Sequence, residues 1–263
     1  MQPEPVRYSR SHSVPDRYAP PLRDEAAAIK EVLASGILSG GAQVVADYEA
    51  ALADRFGAAH AIAVSSGTSA LHAVLHVLRV GPGTEVMVPA TAPLPTAFPI
   101  LTAGAAPVIV DVADGTLGLD PDDVARKLTA RTVAALSLPL WGYPAAVTPA
   151  AQVLTEAGVP IIEDAAQAHG TRIGGRRAGT LGLAGCFSTH DRKLLSTGEG
   201  GFILTNDDAI AEKAQTYTRL GHLTGRQHGA QGRSRPEHRM RCGSTASALS
   251  GEAARAVGVR EAQ

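Results

Sequence analysis

Three short stretches of this chain combine residue types that do chemistry with small residues that let a ligand approach. They are Ser65-Ser66-Gly67-Thr68-Ser69-Ala70, Glu163-Asp164-Ala165-Ala166-Gln167, and the run from Ser188 to Gly201 with Lys193 near its centre. A glycine turn followed by hydroxyl residues at a helix start offers an anion free N–H groups, the positive end of the helix dipole and hydroxyl donors. The same residues would also serve as a plain Ser/Thr helix cap. An Asp delivered by an apolar strand is costly to bury unless a cation pairs with it, and a protonated pyridine nitrogen is such a cation. A helix cap and a metal pair of Glu163 with His169 compete with that reading. No H-x-x-x-H or C-x-x-C partner lies nearby, so no metal ligand is assigned. Most lysines are solvated, but one in a cleft loses basicity and its amine becomes free for Schiff-base chemistry. Gly198, Gly200 and Gly201 let the backbone turn sharply beside it. An anion cradle, a carboxylate and a lysine on neighbouring strand ends together meet the needs of pyridoxal phosphate.

The elements that must position these residues read as alternating strands and helices. Helical patterns cover residues 24–34 and 44–56, each closed by a glycine. Strands are expected at 60–64, 85–88, 107–110, 133–138, 159–162, 185–188 and 201–205. Helices are expected at 68–78, 95–103, 148–157 and 207–220, with another opened by Asp120-Pro121-Asp122. Such alternation predicts a mostly parallel sheet covered by helices on both faces, with ligands beyond the carboxyl ends of the strands. The three chemical stretches fall at those ends.

Composition narrows the classes. With 24 Lys and Arg against 25 Asp and Glu, the formal net charge is −1, so no global field attracts nucleic acid or an anionic membrane. No apolar run approaches the roughly 20 residues that cross a bilayer, and residues 1–22 read as a loose Pro- and Arg-rich arm without a signal-peptide pattern. Two cysteines are too few for a disulfide framework, which makes a reducing cytoplasm the expected compartment. No G-x-G-x-x-G follows a strand and no Walker lysine is present, so a dinucleotide or P-loop enzyme is not indicated. Residues 23–220 are expected to form one large domain, and 221–263 a basic loop and poorly ordered tail, solvated or touching a partner.

The motifs resemble the DegT/DnrJ/EryC1/StrS sugar aminotransferases, within the fold-type I pyridoxal phosphate enzymes. The resemblance rests on Ser65 through Leu71, on Glu163-Asp164-Ala165-Ala166-Gln167-Ala168-His169-Gly170 and on Lys193 through Gly201. Further support comes from Gly81-Pro82-Gly83-Thr84-Glu85-Val86 and Thr205-Asn206-Asp207. It implies the large cofactor-binding domain of that fold, with a mostly parallel central sheet flanked by helices and the small C-terminal domain largely absent, because the similarity stops near Met240. It further implies that Gly67, Thr68 and Ser69 form the phosphate turn and Ser188 gives a second phosphate contact. Asp164 matches the partner of the pyridine nitrogen, Gln167 a contact to the cofactor ring, and Lys193 the Schiff-base and proton-shuttling lysine. Arg239 lies where relatives lend a residue to a neighbouring subunit's phosphate, which implies a homodimer. Dehydratases among the relatives carry His at the position of Lys193, so amino transfer is expected, from an amino acid such as glutamate or glutamine to a keto-sugar nucleotide or keto-cyclitol.

Two departures stand out. Pro93 occupies the position of an aromatic residue that stacks on the pyridine ring, and Leu138-Pro139-Leu140-Trp141-Gly142-Tyr143 replaces a His-containing segment. Two further readings therefore stay open: a pyridoxal phosphate enzyme that does not transaminate, and an impaired cofactor-binding homologue acting as partner subunit to a full-length relative.

Overall fold

The computed structural model of the chain describes residues 25–143 and 148–219; the expected arm at 1–22 and the basic segment at 221–263, Arg239 included, lie outside the described residues. In chain order the elements are α1 (Glu25–Ser35), α2 (Gln43–Phe56), β1 (His60–Val64), α3 (Gly67–Val77), β2 (Glu85–Pro89), α4 (Leu94–Thr102), β3 (Ala106–Val110), α5 (Pro121–Lys127) and β4 (Thr132–Ser137). A short 3₁₀ turn (Leu140–Gly142) leads to α6 (Thr148–Glu156) and β5 (Ile161–Asp164). The two-residue strands β6 (Arg172–Ile173) and β7 (Arg176–Arg177) come next, then β8 (Ala184–Ser188), β9 (Gly201–Thr205) and α7 (Asp208–Thr218).

Seven strands form one sheet in the order β1-β9-β8-β5-β4-β2-β3. The pairs from β8 to β3 are parallel, whereas β9 runs antiparallel to both β8 and β1. This is the mostly parallel α/β sheet that the sequence pattern predicts, with one reversed strand that periodicity cannot reveal.

Alternation along each strand divides the core between the two faces. Ile62, Val64, Val86, Val88, Leu136, Ile162, Cys186 and Ile203 pack with Leu71, Val74 and Leu75 of α3, Ile100 of α4 and Ala211 of α7. On the other face Phe187, Phe202 and Leu204 meet Val45, Tyr48, Leu52 and Phe56 of α2, and Met87 and Ala135 meet Val124 of α5 and Leu154 of α6. The rings of Phe187 and Phe202 stack 4.5 Å apart, with Phe56 tilted against both. Burying residues this apolar contributes about 1.5–3 kcal/mol per large side chain.

The helix boundaries follow capping chemistry. Gly57 ends α2 in the left-handed conformation. Asp120 caps α5 by accepting from Asp123 N–H at 2.7 Å, and Asp207 caps α7 by accepting from Ile210 N–H at 2.9 Å. One strand starts later than the pattern suggested, at residue 161 rather than 159. Val159 N–H is taken by Leu154 O at the end of α6, and Pro160 has no N–H to give, although its carbonyl accepts from Ala135.

Candidate functional site

The carboxyl ends of β1, β5 and β8 converge, and with them the three stretches singled out above. Strand β5 ends in Glu163-Asp164, and alternation sends these neighbours to opposite faces. Glu163 is fully buried and accepts from Gly179 N–H at 2.8 Å, Leu181 N–H at 2.6 Å and Gly182 N–H at 2.8 Å. It is a structural latch for the turn that feeds β8. That turn is tight: Gly179 has φ 85°, and a Cβ there would collide with the Phe187 ring. Glu163 and His169 therefore share no site.

Asp164 faces α4. Its Oδ2 accepts from Thr96 Oγ1 at 2.5 Å and its Oδ1 from Ala166 N–H at 3.2 Å. Burial pushes its carboxyl above the usual range, against the opposing pull of Thr96, Ala166 and the Lys193 charge. Among the described residues the charge that acts on it is Lys193. Burial in turn lowers the basicity of the Lys193 amine, and Asp164 partly restores it.

Lys193 sits in the loop that joins β8 to β9. The loop is pinned at its base, with Thr189 N–H donating to Gly200 O and Thr197 N–H to Thr189 O, each at 2.8 Å, and the two threonine hydroxyls 2.6 Å apart. Lys193 N–H closes a turn onto His190 O at 2.8 Å. The amine is thereby carried by a braced segment, half-buried beside a carboxylate.

The cradle forms where β1 turns into α3. Ser66 is the cap, accepting from Ser69 N–H at 3.0 Å, and the Ser69 hydroxyl lies 2.9 Å from that of Ser65 and 3.0 Å from that of Ser66. The capping alternative thus holds for Ser66, while the N–H groups of Gly67 and Thr68 and the Thr68 hydroxyl have no partner among the described residues. Gly67 packs so closely on Ser188 that a Cβ would come within 2.8 Å of the serine's own Cβ. The close approach brings the turn and the end of β8 side by side.

Two neighbours have roles that sequence reasoning did not give them: Thr96 had none, and His169 was weighed only as a metal ligand beside Glu163. Thr96 is wholly buried in the first turn of α4 and holds Asp164; a lone threonine behind Pro93 carries no signal of that. His169 lies under the cradle, its Nε2–H donating to Ser188 O at 2.9 Å and its ring edge-on to Phe187. Burial lowers its pKa to about 4, so the ring is neutral, and its Nδ1 has no hydrogen-bond partner among the described residues. Gln167 uses its carbonyl oxygen to accept from Trp141 N–H at 2.9 Å, and its amide N–H groups have no partner among the described residues. Trp141 adopts φ 55° and is 78% exposed, which makes it a rim residue rather than core. Pro93 caps α4 from an extended conformation, and its ring is exposed. The structure therefore brings together Gly67, Thr68, Ser69 and Ser188 in one cluster and couples Asp164 to Lys193.

Known proteins resemble the chain in sequence and fold. The model of the DegT/DnrJ/EryC1/StrS aminotransferase family matches residues 22–250. GDP-perosamine synthase of Caulobacter vibrioides is 38% identical over 176 residues, 67% of this chain and 47% of that protein. The L-glutamine:2-deoxy-scyllo-inosose aminotransferase of Micromonospora echinospora is 38% identical over 194 residues, 72% of this chain and 46% of that protein. The crystal structure of the aminotransferase TlmJ from Streptoalloteichus hindustanus superposes with a TM-score of 0.75 at 34% identity, over 89% of this chain and 63% of that one. The chain spans about half the length of the curated relatives it matches.

Proposed function

The chain belongs to the DegT/DnrJ/EryC1/StrS aminotransferase family of fold-type I pyridoxal phosphate enzymes, and we propose that it transfers an amino group from an amino acid, glutamate or glutamine, to a keto-sugar nucleotide or a keto-cyclitol. The acceptor classes follow the activities for which the two curated relatives are named. The observation that carries the reading is the coupling of a raised carboxyl, Asp164, to a half-buried amine of lowered basicity, Lys193, beside an anion cradle.

The donor set fits pyridoxal phosphate. Gly67, Thr68, Ser69 and Ser188 would hold the phosphate through N–H groups and hydroxyls, Asp164 would keep the pyridine nitrogen protonated, and the Gln167 amide would donate to the ring's oxygen. When bound, the cofactor supplies an electron-accepting ring that stabilises a carbanion. The chain's own residues do the remainder. Thr96 fixes the Asp164 carboxylate, so its charge is aimed before anything binds. Lys193, its amine lowered in basicity by burial, provides both a nucleophile and a base that takes and returns a proton. Trp141, exposed and tethered through its N–H to Gln167, would serve as a substrate wall.

A homodimer is the proposed assembly. Pro93 favours a second reading, in which weaker stacking on the ring diverts the chemistry from amino transfer; release of ketone without stoichiometric amino transfer would support it. The main test is borohydride reduction in the presence of pyridoxal phosphate, followed by peptide mapping. Label on Lys193, absent from Lys193→Ala together with all turnover, is the expected result. Label scattered over surface lysines, or full activity in that variant, would overturn the assignment.

A further inference from the structure

Away from this site, four arginines converge on one cleft. Arg55 in the last turn of α2 and Arg172, Arg176 and Arg177 of the β6–β7 hairpin line it, with Asn206 and a single carboxylate, Asp54. The cleft lies at the opposite end of the sheet from the cofactor ligands. Gly57 precedes the start of β1, Asn206 follows the end of β9, and Thr180 stands before β8. A five-residue strand separates the two ends by roughly 16 Å.

Among the described residues the charge there is largely uncompensated. Arg172 donates to Gly175 O and Arg176 to Thr180 O, both neutral acceptors. Among the described residues none of the four arginines forms a salt bridge. The helix dipole accommodates Arg55, but no such feature serves the hairpin. Burial, then the charges of Arg172 and Arg55, lowers the basicity of Arg177, which is half-buried among them. Four guanidiniums against one carboxylate, in a chain of net charge −1, form a local excess that a singly charged carboxylate would not neutralise. Guanidinium forks match phosphoryl oxygens in pairs. The cleft holds about 390 Å³, enough for a small molecule.

We propose that this cleft binds a small diphosphoryl anion, read by Arg55, Arg172, Arg176 and Arg177, at a site separate from the cofactor's. Inorganic pyrophosphate and a nucleoside diphosphate carry the same chemistry. Each is titrated calorimetrically into protein saturated with pyridoxal phosphate, so that the cradle cannot answer for the cleft. The expected result is saturable one-to-one binding, weakened about tenfold or more in Arg177→Gln and in Arg55→Gln and only partly recovered in Arg177→Lys, which keeps the charge but not the fork. Arg172→Gln, at an exposed position that does not threaten folding, gives the same readout if the variants at the half-buried Arg55 and Arg177 unfold. Equal affinity for the two anions assigns recognition to the phosphoryl groups alone, and tighter nucleoside diphosphate adds the base. Absence of saturable binding by either anion, binding unchanged by every arginine variant, or binding that pyridoxal phosphate abolishes would each overturn the proposal.

Discussion

At the scale of the residue, neighbours in sequence do opposite work. Glu163 and Asp164 were legible together as two carboxylates on a strand end, but their division of labour depends on which face each meets. Glu163 answers three backbone N–H groups, and its replacement by Ala should cost about 3–5 kcal/mol in denaturant unfolding, because buried donors lose their acceptor. Asp164 is held the other way, with a carboxyl raised by burial. A folded pKa above the unfolded one means that its ionised form costs stability at neutral pH, a cost relieved as pH falls through the folded value. Asp164→Asn should therefore leave the cofactor-free protein as stable or more so at pH 7, while cofactor affinity falls at least about tenfold, as spectral titration would report. The same charge supports the basicity of Lys193, so in Asp164→Asn the pH midpoint for labelling Lys193 with an amine reagent should move down. Thr96 and the Gln167–Trp141 contact were not legible at this scale, since each requires knowing which loop lies across from which strand.

At the scale of the element, strands with clear apolar runs were legible almost to the residue, as at 60–64 and 201–205. The β6–β7 hairpin escaped notice because two-residue strands carry no period, and the reversal of β9 is decided by pairing partners rather than by its own sequence. The junction of α3 with β8 depends on the bare backbone at Gly67. Gly67→Ala would push the helix start off Ser188; pyridoxal phosphate should bind about tenfold or more weakly, and denaturant unfolding should show an overpacking cost of about 1–3 kcal/mol.

At the scale of the whole molecule, stability should be sensitive to acid through a histidine. His169 is buried and neutral, with a pKa of about 4 against an ordinary 6.5. A base with a depressed folded pKa contributes fully above its unfolded value, and that stability is lost as pH falls from about 6.5 towards 4, by at most about 3 kcal/mol. Unfolding midpoints measured across that window should fall in the native chain and flatten in His169→Gln. Among the described residues no helix is long and apolar enough to cross a membrane.

The pairing of β1 with β9 also constrains how the chain acquires its shape. His60 faces Thr205 across the ladder, so the first strand, which stands at the edge of the sheet, waits for almost the last described segment before its inner edge is paired. Closing so long a loop is entropically slow, and folds dominated by such distant pairings assemble slowly. On a ribosome, β1 and the turn that follows it would emerge well before β8 and β9 exist to support them. The cradle would accordingly be a late product of folding, acquired when Ser188 reaches Gly67 and the reversed strand slots in between.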